Sequence, residues 1–300
     1  MAAQKSGLFK TLKTYRTGVL FFLPFFLFFA VFVIIPVFIA MVLSFTDYNL
    51  LEWPNFVGLT NFKLLFLEDD VFIIALKNTL VFAAIAGPLS FVLAFLLAWA
   101  LNQLRFRNLF ALTFYVPSIT NAIAMGVVWL YIFSPDRYGL INNLLYNMGL
   151  ISEPVLWNLD ATTIMPVIII IHIWMNMGTS FLVFLAGLQN TSREISEAGM
   201  IDGVKSRAHE LWYLTLPQLK PQLLFSAITA VTSAFSVFDV SVGFAGLPSP
   251  NYAGHTIVAH LYDYAFIRFE MGYASAVACV LFVLTFVIGR VLTKVLSSDD

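Results

Sequence analysis

Charged side chains are scarce in this chain. Asp, Glu, Lys and Arg make up 11% of its 300 residues, against roughly 25% in soluble domains. That deficit excludes an ordinary water-soluble globule, because the missing charge is what would cover its surface. Cysteine occurs once, as Cys279, which excludes an internal disulfide and reads as a small packing residue in an apolar run. No Gly-Lys dipeptide occurs, so a phosphate-cradling Walker A loop is excluded in its usual form. Neither His-Glu-x-x-His nor Gly-x-Ser-x-Gly is found, which leaves a membrane-embedded hydrolase without a catalytic constellation. His255 and His260 are five apart and bring no further ligands with them, so they do not predict a metal site. The expectation is a protein with no catalytic residue, no metal and no nucleic-acid partner.

Apolar residues fill the gap, at 60% of the chain. Crossing a hydrocarbon core of roughly 30 Å takes about 20 helical residues. Six stretches qualify, near 18–44, 74–101, 109–133, 163–188, 219–243 and 272–296. The first is too long for the apolar region of a signal peptide and lacks a small-residue cleavage site, so it is read as a retained span. Its run Phe25-Phe26-Leu27-Phe28-Phe29 suits lipid contact better than a tight helix interface. The predicted fold is an all-α integral membrane protein, one domain over 1–300.

Lys and Arg are unevenly distributed. With the N-terminus inside, twelve of the sixteen fall on inner flanks, and only Lys63, Lys77, Arg137 and Arg268 lie outside. The positive-inside rule therefore places both termini, and the 189–218 connection, in the cytoplasm. The outer loops fall near 46–71, 134–162 and 244–271, the second with a short surface helix.

Polar residues inside spans are costly, about 2.5–3.5 kcal/mol for a carboxylate at the helix centre, and so are functional candidates. Asn121, Asn176, Ser233 and Asp239 are the four assigned to a solute pathway. Trp129 and Trp174 offer faces for stacking on a sugar, although buried aromatics usually pack. A stand-alone secondary transporter or channel is the competing function, disfavoured by the shortage of intramembrane charge.

The 189–218 connection is a polar, helix-prone island. Thr191 and Glu194 have capping-box spacing, predicting a helix from about Ser192 to Ile201. Asp202-Gly203 supplies a turn. A second segment follows from Val204 to Thr215 and is expected to stop at Leu216-Pro217. The small pair Ala198-Gly199 would let another surface approach closely. On spacing alone the island reads equally as a docking surface or as a helix lying on the inner leaflet.

Glu197-Ala198-Gly199, Ile201-Asp202-Gly203-Val204 and Leu214-Thr215-Leu216-Pro217 resemble the EAA loop of ABC-importer permeases. The similarity is greatest to the carbohydrate branch, the MalF-like and glycerol-3-phosphate-type permeases with a MetI-like transmembrane fold. Ser44-Phe45-Thr46-Asp47-Tyr48, Asn78-Thr79-Leu80, Tyr115-Val116-Pro117 and Phe184-Leu185-Ala186-Gly187-Leu188-Gln189 are similar too. The loop after the fifth span, Phe244-Ala245-Gly246-Leu247-Pro248, departs from the pattern. The resemblance implies a permease subunit of a binding-protein-dependent sugar or oligosaccharide importer in a bacterial or archaeal cytoplasmic membrane. It implies a second homologous permease, two cytoplasmic ATPase subunits that use ATP and Mg, and an extracytoplasmic solute-binding protein. It further implies that Glu197, Ala198, Gly199, Asp202, Gly203, Leu216 and Pro217 couple ATPase closure to the spans.

Overall fold

A computed structural model describes residues 16–104, 107–191 and 193–297. Among these, β pairing is limited to one isolated bridge between Thr46 and Phe56. Helix α1 (Arg16–Phe29) runs through a π turn, Ala30–Ile34, into α2 (Ile35–Leu43). The loop that follows holds α3 (Thr60–Leu67), and α4 (Asp70–Asn102) is the longest helix described. The third span is a pair, α5 (Arg107–Ile119) and α6 (Ala122–Ile132), followed by the short α7 (Leu140–Asn147) and the long α8 (Ala161–Gln189). The polar island contains α9 (Arg193–Ile201), α10 (Arg207–Glu210), a π turn at Leu211–Thr215 and α11 (Leu216–Gln218). Then come α12 (Lys220–Phe235), α13 (Asp239–Ala245), α14 (Ile257–Tyr262) and α15 (Met271–Ser297). Among the described residues, five helices are long and apolar enough to cross a membrane, or six if the bent α5–α6 pair is one span.

The third span, read in the sequence near 109–133, is bent: α5 and α6 meet at 106°. Local chemistry explains the break. Pro117 lacks an N–H and resists helix continuation. The Ser118 and Thr120 hydroxyls donate to the carbonyls of Tyr115 (2.7 Å) and Val116 (2.7 Å), and Asn121 Oδ1 accepts from Ala124 N at 3.2 Å to cap α6. The fifth span is also interrupted, at Ser236–Phe238, without any proline. There the Val237 carbonyl is satisfied from outside, by the Thr256 hydroxyl at 3.0 Å.

Burial separates the helices. None of the apolar stretch Leu20–Leu43 is buried, whereas 67% of the corresponding window in α8 is. In α4, Ala75, Thr79, Ala83, Gly87, Ser90, Ala94 and Ala98 are all buried. Their spacing of three or four residues puts them on one face, and small side chains there allow close backbone approach. That face meets α8 and α12, and α8 also meets α5. Inside a bilayer, lipid is as apolar as leucine, so the hydrophobic effect drives insertion but not helix association. Dense contact around Phe82, Ile168, Phe181 and Phe184, each buried to 1% exposure or less, and hydrogen bonds between helices hold the bundle.

Candidate functional site

The breaks in the third and fifth spans converge on the middle of α8 and enclose a cavity of about 180 Å³. Asn176, Ser233 and Asp239 line it, together with Ser118, Thr120 and Ser236. Asn176 Nδ2 donates to the His172 carbonyl at 3.0 Å and lies 3.2 Å from His172 Nδ1. Ser233 Oγ donates across to Asn176 Oδ1 at 3.0 Å, tying α12 to α8. Such a bond between helices in a membrane contributes about 0.6 kcal/mol. Gly178 permits the fit, because a Cβ there would fall 2.6 Å from Ser118 Oγ and 2.7 Å from the Phe114 carbonyl oxygen. The fourth predicted pathway residue, Asn121, is not among the lining residues; it caps α6 beside them. Trp129 and Trp174 pack edge-to-face at 5.2 Å, with Trp129 against the core, so the pair belongs to packing.

In the polar island, α9 occupies the predicted position. The Thr191 hydroxyl donates to the Leu188 carbonyl at 2.7 Å, closing the end of α8. Ser192 lies outside the described residues. Glu197, Ala198, Asp202 and Gly203 are exposed, and Gly199 is buried. A Cβ on Gly199 would lie 2.4 Å from Leu214 Cδ1. The close approach that its size allows is therefore made by a residue of the same island. Gly203 has φ of +98° with nothing within 4 Å of a Cβ position; here the backbone, not space, requires glycine. The second segment does not stop at Leu216-Pro217. The π turn at Leu211–Thr215 leads straight into α11, and the helix is interrupted only at Leu219. A wider turn absorbs the N–H that Pro217 lacks. Met200, Ile201, Trp212 and Tyr213 project with 61% to 87% of their surface exposed.

A third polar constellation, missed in the sequence, joins the start of α4 to the loop before α15. Asp69 caps α4 by accepting from Phe72 N at 2.8 Å. The same carboxylate accepts from Tyr273 Oη (2.6 Å) and Tyr264 Oη (3.1 Å), and His260 Nε2 lies 3.2 Å away. Behind it, His255 Nε2 stands 3.3 Å from His260 Nδ1. Asn78 anchors the loop from α4 by donating to the carbonyls of Tyr252 (2.8 Å) and His255 (3.0 Å). Burial works to raise the Asp69 pKa, but the Tyr273 hydroxyl, Phe72 N–H, His260 and Tyr264 together hold it below the usual carboxylate value. Burial and the neighbouring ring push His255 down to about 4. Burial also lowers His260, against the opposing pull of Asp69 and Asp263.

Both imidazoles thus stay neutral in the fold while an unfolded chain would bind protons below about pH 6.5. The contribution of His255 is intact above pH 6.5 and is lost as pH falls from there toward 4, and that of His260 is lost in the same direction. Thermal unfolding of the detergent-solubilised protein is expected to show a falling midpoint across that window, and the His255→Gln variant a flatter profile. An equal slope in both proteins would remove His255 from the account.

Residues 88–297 match the family model described as the binding-protein-dependent transport system inner membrane component. The probable ABC transporter permease protein YesP of Bacillus subtilis (strain 168) is 34% identical, over 92% of this chain and 89% of the relative. The arabinooligosaccharides transport system permease protein AraP of the same organism is 32% identical, over 93% of this chain and 88% of its own length. Among solved structures, a bacterial alginate ABC transporter in complex with an alginate pentasaccharide-bound periplasmic protein contains a chain of the same fold. Its TM-score is 0.81 at 22% identity, over 96% of each chain. The chain belongs to the family of inner-membrane components of binding-protein-dependent transport systems.

Proposed function

We propose that this chain is the translocation subunit of an ATP-driven importer for a sugar or oligosaccharide, with both termini and the polar island on the cytoplasmic side. One observation carries the reading: an exposed, partly apolar elbow is continuous with two core helices. Through Thr191 and Leu188 it closes α8, and through α11 and Leu219 it leads into α12. A force applied at Ile201 therefore reaches the two helices that line the cavity. Glu197, Ala198, Asp202 and Gly203 form the exposed edge that meets a cytoplasmic ATPase subunit. Gly199 and Leu216 shape the elbow from beneath, and Pro217 stands exposed at its exit into α12. ATP and Mg are bound by the two ATPase subunits, and this chain holds neither.

A second, homologous permease completes the pathway. Asn176 is exposed midway along α8, and Ser236 and Asp239 are exposed toward the outer end of the fifth span; an opposing wall would spare these polar groups contact with lipid, which is costly. An extracytoplasmic solute-binding protein, as named in the solved relative, delivers the solute from the side of the 46–71, 134–162 and 244–271 loops. The sugar assignment is supported by the arabinooligosaccharide relative. The setting is a bacterial or archaeal cytoplasmic membrane.

The docking assignment is tested by placing cysteine at Ile201, 87% exposed, in the assembled importer lacking Cys279. Bifunctional thiol reagents are expected to link Ile201→Cys to an ATPase subunit, with a yield that changes between nucleotide-free and ATP-bound complexes. An elbow that reacts only with monofunctional reagent in both states would refute the assignment.

A further inference from the structure

Most of the side-chain donors around the cavity in which the third and fifth spans break are engaged within the protein. Ser118 and Thr120 donate their hydroxyl protons to the Tyr115 and Val116 carbonyls of their own helix. Ser233 gives its proton to Asn176, and the Asn176 amide is directed at the carbonyl and ring nitrogen of His172. These donors are thus engaged within the protein, and what the groups still present is lone pairs. Of the hydroxyls lining the cavity, only that of Ser236 has no partner among the described residues. Asp239 adds a carboxylate that is exposed and likewise has no partner among the described residues. No Lys or Arg lines the cavity. Of the four basic residues on the loop side, Arg268 is paired with Asp263 at 2.8 Å and Arg137 lies over the Tyr146 ring at 4.1 Å.

We propose that Asp239 makes this cavity a charge filter that admits hydroxyl-rich, uncharged solutes and turns away carboxylated or phosphorylated ones. The proposal rests on reading the cavity as the solute pathway. A wall richer in acceptors than in donors matches the hydroxyl protons of a neutral sugar, and two carboxylate oxygens can accept from neighbouring hydroxyls at once. The same wall offers little to a uronate or a sugar phosphate, whose oxygens need donors. A confined site lined by one sign of charge biases the local concentration of ions by tenfold or more. Asp239 is therefore a specificity-determining residue for the charge of the solute.

The test uses the assembled importer in proteoliposomes, with partner permease, ATPases and solute receptor present, so that any basic group from the partner is included. Cys279→Ser removes the native thiol, and Ser236→Cys places a reporter three residues from Asp239. Its rates of modification by ethyltrimethylammonium and ethylsulfonate methanethiosulfonates are compared, each relative to free cysteine. The expected result is a preference of about tenfold for the cationic reagent, retained in Asp239→Glu and abolished in Asp239→Asn. A reporter that reacts with no charge preference, or whose preference survives Asp239→Asn, overturns the filter and leaves the pathway standing. A reporter that neither reagent reaches in any nucleotide state overturns the pathway reading, and the filter with it.

Discussion

Replacing Gly203 with valine is expected to lower receptor-stimulated ATP hydrolysis and solute uptake by at least about tenfold, with membrane insertion and subunit assembly retained. The cause lies purely in the backbone. Gly203 sits at φ of +98°, a region that residues with a Cβ rarely adopt and β-branched residues least of all. Holding such a residue there costs on the order of 1–3 kcal/mol, and about 1.4 kcal/mol is already tenfold in an equilibrium. No neighbour lies within 4 Å of the Cβ position, so valine meets no clash and the whole penalty acts on the turn. That turn is closed by Val204 N donating to the Gly199 carbonyl at 2.9 Å and Asp202 N to that of Ala198 at 3.0 Å. Gly199 is in turn seated against Leu214. Relief of the strain must therefore move α9 against the rest of the island, carrying Glu197 and Ile201 out of register. The spans are untouched because the turn is exposed. Asparagine tolerates positive φ better than valine, so Gly203→Asn is expected to keep most of the coupling. Equal losses in the two variants would mean that side-chain bulk at the docking face, not turn geometry, is what matters. Normal coupling in Gly203→Val would show that the turn does not transmit force.

The contrast between Gly199 and Gly203 shows where sequence reading succeeds and fails. A turn is a local event, and Asp202-Gly203 announces it through the conformational freedom of glycine. The neighbour of Gly199 is Leu214, fifteen residues later and beyond a second turn, so local spacing shows a small residue but not the packing that its size allows. The same division runs through the spans. Their existence follows from runs of about 20 apolar residues, which water would expel in any arrangement. Their breaks do not, because hydropathy is blind to dihedral angles. Pro117 hints at the first break, but the second depends on Thr256 satisfying the Val237 carbonyl from nineteen residues away. Asn176, Ser233 and Asp239 were legible because a polar side chain in an apolar run demands a reason. The Asp69 constellation was not. Its members come from positions almost two hundred residues apart, and the two histidines were weighed only as metal ligands, a role with too few partners. The available signal was Asp69 itself, an acid at the start of a long helix.

That acid carries the largest stability prediction. Asp69→Ala is expected to lower the apparent thermal unfolding midpoint of the solubilised protein by about 5 °C or more, given 2–4 °C per kcal/mol for chains of roughly this size. Loss of the helix cap alone costs about 1 kcal/mol. Tyr273 is buried, 6% exposed, and its hydroxyl donates to Asp69 at 2.6 Å. Stranding such a buried donor costs about 1–3 kcal/mol, and Tyr264 and His260 lose a partner at the same time. Asparagine caps a helix as well as aspartate and keeps one side-chain acceptor, but it has no charge for His260. Asp69→Asn is therefore expected to recover part of the loss. Recovery to the parental midpoint would mean that capping and a neutral acceptor suffice and the charge is dispensable. An Asp69→Ala midpoint within 1 °C of the parent would show that water replaces the carboxylate without loss. The consequence for transport follows from connectivity. Asp69 binds the start of α4, the loop carrying α14 and the start of α15 into one body, and Thr79 and Thr256 link that body to Ile257 N and to the break at Val237. A loosened Asp69 cluster should leave the fifth-span break less firmly held, so uptake by Asp69→Ala should fall further than the fraction of unfolded protein explains.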